Sequence, residues 1–273
     1  MLLHTLQQSQ GRLLFTVVDN SADDSLRAQV EASGANYLFS GRNVGFGAGH
    51  NLALRRTLDL APYQAVINPD VAFAPDTFLH LQRFMESHPQ VGQLMPAILY
   101  PDGSEQRLAK RLPSPFDLFL RRFLGRLGRY LAPERWDLYE TRDLDLSVAR
   151  QVPSLSGCFM FLRSSVLQQT GLFDERYFMY MEDVDLCRRI GEVSQTVMLP
   201  DVSIVHGYGK GSYKSLRLLL FHLQSAVRYF QKWGWIFDSQ RDLRNARTGA
   251  IERLAEDHEV FASSSTPTAG FRG

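Results

Sequence analysis

Cysteine is scarce in this sequence: Cys158 and Cys187 are the only two in 273 residues. Two thiols make no disulfide framework, which argues for buried free thiols in a reducing compartment rather than a stapled secreted domain. Long apolar runs are also absent, since no charge-free stretch reaches the roughly 18 residues that a spanning helix needs. The net charge is only +1, so the overall balance gives no reason to expect nucleic acid as a partner. There is no internal repeat, and the opening MLLHTLQQSQGR lacks the basic start and sustained apolar core of a secretion signal. What is present is a 44% hydrophobic composition with 18 phenylalanines and 10 tyrosines. That is ample for a sizeable core in one large domain or two small ones. Composition therefore points to a cytoplasmic enzyme or one held peripherally at a membrane.

The first half alternates two periodicities. Leu13–Asp19 (LLFTVVD) is a short apolar, β-branched run ending in an acid, DSLRAQVEAS is helical in period and stops at Gly34, and NYLF reads as a second strand. GAGHNLALRRTLDL reads as a helix, QAVIN as a buried strand closed by Pro69, and PDTFLHLQRFMESH as an amphipathic helix with proline near its first turn. This rhythm predicts an α/β fold with a parallel sheet, whose ligands sit at the carboxyl ends of strands. Asp19 and Asn68–Asp70 fall at such ends. Later, PSLSGCFMFLRSSVLQQTG reads as a strand and a short helix closed by Gly171, and QTVMLPDVSIVHG as two strand pieces ending at His206.

Several constellations could carry chemistry. In VINPDVAF, Asn-Pro-Asp is either turn chemistry or the start of a metal site at Asp70. His206 closes VSIVH, where a lone histidine is as readily structural as ligating. Together they offer one hard oxygen and one imidazole, which suits Mg²⁺ or Mn²⁺ with the remaining positions left to water or phosphate. GRNVGFGAGHN, residues 41–51, carries three alternating glycines before a helix; it is a weak dinucleotide fingerprint but lets backbone approach a phosphate or sugar. In YFMYMEDVDLCRR, Glu182 and Asp185 lie three apart on one helical face, and Asp183 is rotated about 100° away. A solvated helix start explains the three acids, and so does a general base tuned by apolar neighbours.

In this order the stretches VVDNSADDS, NVGFGAGHN, NPDV, HPQVGQLMPAILYPDGS, LSGCFMFLR, GLFDERYFMYMEDVDLCRR and VSIVHGYGKGS resemble the family-two inverting glycosyltransferases of GT-A fold. The bacterial rhamnosyltransferases of O-antigen, lipopolysaccharide and cell-wall synthesis are the nearest subgroup. The likeness covers about residues 13 to 215, and AVRYFQKWGW extends it. It implies a GT-A catalytic domain over residues 1–215 with a mixed central sheet. Beyond it come a C-terminal amphipathic helical segment over 216–256 and a disordered tail over 257–273.

The resemblance also implies roles. Asp183 would be the general base; Glu182, Asp185 and Gly157 would shape the site on its acceptor side. Asp19 would contact the nucleotide base, and the loop residues Asn43, Gly45, Gly49 and Asn51 the ribose and diphosphate. Asp70 would hold the last position of the family's DXD motif, with Asn68 in place of its first aspartate, and His206 would complete a shell for Mg²⁺ or Mn²⁺. The implied donor is a nucleotide sugar, dTDP-rhamnose, and the implied acceptor a lipid-linked glycan at the inner face of the cytoplasmic membrane. Arg107 to Arg129 carries seven basic residues against one acid among leucines and phenylalanines, and SLRLLLFHLQSAVRYFQKWGWIF is similar. Such helices could lie in the membrane interface, or pack on the catalytic domain or a second copy in a homo-oligomer. The family's first strand is missing, because MLLHTLQQSQ reads as the end of the helix that follows it; a start further upstream is expected. A non-catalytic member that only binds a sugar nucleotide or a partner, and a metal-dependent hydrolase of activated sugars, are the other readings.

Overall fold

Short β-branched runs and amphipathic stripes become alternating strands and helices in the computed structural model, which describes residues 2–207 and 215–249. The tail expected to be disordered, 257–273, and the end of the helical segment, 250–256, lie outside the described residues. The chain opens with α1 (Leu2–Gln8), β1 (Thr16–Asp19), α2 (Arg27–Ala32), β2 (Asn36–Phe39), α3 (Phe46–Thr57), β3 (Tyr63–Ile67), β4 (Val71–Phe73), α4 (Thr77–Ser87) and β5 (Val91–Leu99). A helical excursion follows, made of α5 (Pro115–Phe119), a π-helical turn (Leu120–Leu124), α6 (Gly125–Leu131) and α7 (Pro133–Tyr139). The chain then returns as β6 (Arg150–Gln151), β7 (Phe159–Arg163), α8 (Ser164–Thr170), α9 (Glu182–Val193) and β8 (Gln195–His206). Two last helices, α10 (Leu216–Trp233) and α11 (Ser239–Ala246), close the described chain.

β1 and β2 form a parallel pair of their own, while the larger sheet runs β3-β7-β5-β8-β4, with β6 added on β8. Among the described residues no strand joins the two sheets, although α3 packs against both β1 and β3. The expectation of a parallel sheet is corrected here. Only β5 and β8 run parallel in the larger sheet; β3–β7, β5–β7 and β4–β8 are antiparallel, so the sheet is mixed. The reason is physical: apolar runs such as QAVIN and CFMFL announce burial on both faces, and burial does not encode strand direction.

β8 is one strand, not two pieces. Its ladder with β5 jumps from Pro96–Leu199 to Ala97–Ser203, so residues 200–202 lack partners. Pro96 and Pro200 cannot donate to a ladder, and proline in a sheet is confined to such irregularities. β5 is the most buried strand, with Leu94 and Met95 packed among Phe159, Phe161 and Val197. Each fully buried side chain of this size contributes about 1.5–3 kcal/mol relative to exposure. α4 and α9 pack on the β5–β8 pair, and this rigid centre presents the carboxyl ends of β3 and β8 beside the amino end of β7.

Candidate active site

α9 begins at Glu182 and carries Glu182, Asp183 and Asp185 in its first turn, where the positive end of the helix dipole favours anions. The turn leading into it is strained. Tyr180 and Met181 have φ of 71° and 66°, a left-handed conformation that costs a non-glycine residue roughly 1–3 kcal/mol and clusters at functional sites. α10 holds this turn. Ser225 Oγ donates to the Met179 carbonyl at 2.8 Å, the Phe178 and Phe221 rings stack with centroids 4.5 Å apart, and Met181 is buried with Tyr229 and Phe230.

The three acids have three fates. Asp183 keeps part of its surface open and accepts from the Gly157 N–H at 2.9 Å and the Val184 N–H at 2.8 Å. Burial raises its pKa, opposed by those two N–H groups and by the nearby Lys110 ammonium. A Cβ on Gly157 would lie 3.2 Å from Asp183 Cβ and 3.3 Å from the Phe46 ring, so glycine allows the carboxylate to settle on the loop. Glu182 is buried and its Oε2 has no hydrogen-bond partner among the described residues; burial and the charge of Asp183 push its pKa up. Burial raises the pKa of both neighbours; at Asp183 the two N–H groups and Lys110 oppose it, while at Glu182 the charge of Asp183 adds to it. Asp185 makes structural bonds beside Asp183. It is fully buried and bound to Arg189 at 2.9 Å, Lys232 at 2.7 Å and Trp233 Nε1 at 2.8 Å. It fastens α10 to α9.

Asp70 and His206 meet across the β4–β8 ladder. Val71 pairs with His206, Gly207 N–H donates to the Asp70 carbonyl at 2.9 Å, and His206 Nε2 lies 3.5 Å from Asp70 Oδ1. His206 is buried, whereas the Asp70 side chain is 43% exposed. One carboxylate and one imidazole facing each other fit a divalent cation that takes its other ligands from water or a substrate phosphate. No group of three or more metal-ligating side chains is assembled among the described residues, so these two would be the protein's share. Asn68 N–H donates to the Cys158 carbonyl at 2.9 Å, which places the NPD turn beside the Gly157–Asp183 contact. The Cys158 thiol, pushed up to about 12 mainly by burial, feels the charges of both Asp183 and Asp70. Asp183 and the Asp70–His206 pair are thus linked through the Gly157–Cys158 segment, which binds Asp183 at one residue and the NPD turn at the next.

The chain is similar to known proteins. The family model described as "Glycosyl transferase family 2" matches residues 2–171, more than half of the chain. The chain belongs to this family. It is 33% identical over 203 residues to the N-acetylglucosaminyl-diphospho-decaprenol L-rhamnosyltransferase of Mycobacterium tuberculosis, covering 70% of this chain and 65% of that protein. The chain thus spans under two thirds of that relative's length. It is 25% identical over 244 residues to the rhamnosyltransferase WbbL of Escherichia coli, covering 85% of this chain and 87% of that one. Among solved structures, GalNAc-T7 with UDP, GalNAc and Mn²⁺ superposes with a TM-score of 0.59 at 12% identity over 89% of this chain and 46% of that one. The mannosyltransferase PcManGT of Pyrobaculum calidifontis, with GDP-Man and Mn²⁺, gives 0.55 at 17% identity over 84% and 59%. The fold is GT-A, with a mixed central sheet.

Within this family-two framework the remaining expected residues divide. Asn43 Oδ1 accepts from Gly45 N–H at 2.9 Å, Asn20 ties Val44 and Gly45 together, and Gly49 packs against Asn20. Gly45 has φ of 96° and its α-carbon lies against the Phe178 carbonyl, so a side chain there has no room. That carbonyl also takes the first amide of α3, Phe46 N–H, at 2.9 Å. The glycine loop thus docks onto the segment that presents Asp183. Asn51 corrects the donor-binding expectation: it is 1% exposed and wholly spent on Phe173 N–H, the Phe173 carbonyl and Glu175. A residue six positions into α3 faces the helix's packing side. Asp19 is also buried. Burial alone would raise its pKa, but hydrogen bonds from Ser21 and Tyr37 outweigh that and lower it, so both oxygens brace the end of β1.

Sequence reasoning missed Lys110. It pairs through backbone with Ser154, at 2.8 and 3.1 Å, and sits within electrostatic reach of Asp183. Burial first, and then repulsion from Arg121, lowers its pKa to about 7. Arg111 pairs with Asp143 at 2.6 Å. The basic segment thus splits: residues up to 111 turn inward, and its amphipathic part starts at α5. Only the isolated bridge between Lys110 and Ser154 separates the halves, and a bridge of one residue leaves no periodic signal.

Proposed function

We propose that this chain is an inverting glycosyltransferase that moves a deoxyhexose, L-rhamnose from dTDP-rhamnose, onto a lipid-linked or polysaccharide acceptor in cell-surface polysaccharide synthesis. The observation that carries this reading is Asp183: a carboxylate held by the Gly157 and Val184 amides, with Cys158, next to Gly157, binding the turn that leads to Asp70. The M. tuberculosis and E. coli relatives are both rhamnosyltransferases by name, which supports the sugar, and the former's diphospho-decaprenol substrate name supports a lipid-diphosphate acceptor.

Asp183 takes the proton from an acceptor hydroxyl as that oxygen attacks the anomeric carbon from the face opposite the leaving group, and a single displacement inverts the centre. The two amides aim the carboxylate. Asp70 and His206 would hold Mg²⁺ or Mn²⁺, which when bound neutralises charge on the departing nucleoside diphosphate. In this reading the Gly45 loop, after β2, and Asn68, after β3, line the donor side.

The acceptor reading also gives the outer helices a role at the inner face of the cytoplasmic membrane. No helix among the described residues is long and apolar enough to cross a membrane, yet Phe116, Phe119, Phe123, Leu127 and Tyr130 are all exposed. They recur at three- and four-residue spacing beside Arg122 and Arg129, the pattern of an interfacial helix.

The test is direct. Protein, dTDP-rhamnose and Mn²⁺ should release dTDP only when a diphosphate-lipid-linked N-acetylglucosamine is added, and NMR should show the new glycosidic bond with inverted anomeric configuration. Cleavage without acceptor marks a hydrolase, and binding without release a non-catalytic protein; either result overturns the proposal.

A further inference from the structure

Gln106 lies just past the hairpin that follows β5, where its own N–H donates to the Ile98 carbonyl at 2.7 Å. It is 4% exposed, and a buried amide must spend its donors and acceptor on partners. Its Nε2 donates to the His206 carbonyl at 2.8 Å and to the Leu99 carbonyl at 3.3 Å. Carbonyls have no proton to give, so the nitrogen end of the amide must face them and the orientation is not open to a flip. The oxygen end, Oε1, then lies 3.0 Å from His206 Nδ1. An amide oxygen can only accept, so Nδ1 must carry hydrogen. A neutral imidazole has one ring proton; with it on Nδ1, the lone pair is on Nε2. That nitrogen is 3.5 Å from Asp70 Oδ1.

We propose that Gln106 is a positioning residue for the cation pair: its amide fixes His206 in the Nδ1–H form and turns Nε2 toward Asp70 as a ligand nitrogen. The same side chain grips the backbone of His206 and its ring, so ring orientation and tautomer are set together. The outer partner of a ligating histidine commonly controls both. The ligand half of this inference rests on the proposed cation site; the tautomer half does not.

Two measurements separate them. In ¹⁵N-labelled wild-type protein without metal, above the imidazole titration range, a long-range ¹H–¹⁵N spectrum should show His206 with a protonated Nδ1 and a bare Nε2. The resonance is assigned by its loss in His206→Ala. Gln106→Leu should lose that tautomer. Mn²⁺ titration followed by electron paramagnetic resonance should show binding by wild type, about 10–100-fold weaker in Gln106→Leu, and no binding at this site in Asp70→Ala. If wild-type His206 carries its proton on Nε2, the proposal is overturned without any variant. If the tautomer is as stated but wild type takes up no Mn²⁺, the cation reading fails and the Gln106–His206 grip stands. If Gln106→Leu folds with unchanged melting temperature, tautomer and Mn²⁺ affinity, Gln106 positions nothing.

Discussion

Glu182 and Asp183 are chain neighbours in different surroundings, and the difference comes from their partners. Asp183 has two backbone N–H groups and the field of Lys110, while a Glu182 oxygen has no partner. Lys110 then bears on catalysis through its charge. A base must be ionised to work, so activity should fall as pH drops through the raised pKa of Asp183. The Lys110 cation favours the ionised carboxylate and holds that pKa down. Lys110→Met should therefore shift the acid limb of the pH–rate profile to higher pH. Because Lys110 itself titrates at about 7, wild type and variant should converge above that value, where both are neutral at this position. A uniform loss across the whole range would show that Lys110 acts only in packing or substrate contact.

The helices at the C-terminus act as braces as well as surfaces. Arg188 on α9 and Asp238 before α11 form a bidentate pair at 2.7 and 2.6 Å, with side chains 1% and 4% exposed, and Arg188 stacks on Trp233 at 4.2 Å. Removing one partner leaves a buried charge uncompensated, so Asp238→Ala should cost about 3–5 kcal/mol in denaturant unfolding. A cost below 1 kcal/mol would mean that α11 is not fastened through this pair. This bracing shows what could be read without coordinates. The apolar runs located β1, β2, β3, β7, α4 and α8 because burial and period are local properties. Strand direction, the bulge at Pro96–Pro200 and the inward turn of Lys110 are set by contacts between distant segments. Asp183, Asp70 and His206 were legible as strand-end and helix-start acids and imidazole. Asn51 and Asp185 carried the same residue types, and only burial reveals that both hold the structure together. The strained Tyr180–Met181 turn had no signal, since neither residue favours a positive φ.

At the scale of the whole molecule, exposed apolar side chains gather on the outer helices among the described residues. α5 adjoins α10 through Leu118, which packs on the Tyr229–Phe230 cluster, and Leu216, Leu220 and Val227 are exposed along α10. With its inner face fixed to α9 and its outer face bare, α10 extends the surface begun at Phe116. The protein should float with vesicles containing anionic lipid and dissociate as salt rises, and a Phe119→Ser, Phe123→Ser double variant should float less while keeping its fold. Salt-insensitive or absent binding would remove the membrane from the account. The central claim is that Asp183 is the base on a donor site it does not itself build. Asp183→Asn, followed by calorimetric titration of dTDP-rhamnose with Mn²⁺ and by acceptor-dependent dTDP release, tests it most directly. The account predicts donor affinity within about threefold of wild type and turnover lower by about 10²–10⁴-fold, the usual share of a general base. Undiminished turnover, or donor binding lost in step with it, would contradict the claim.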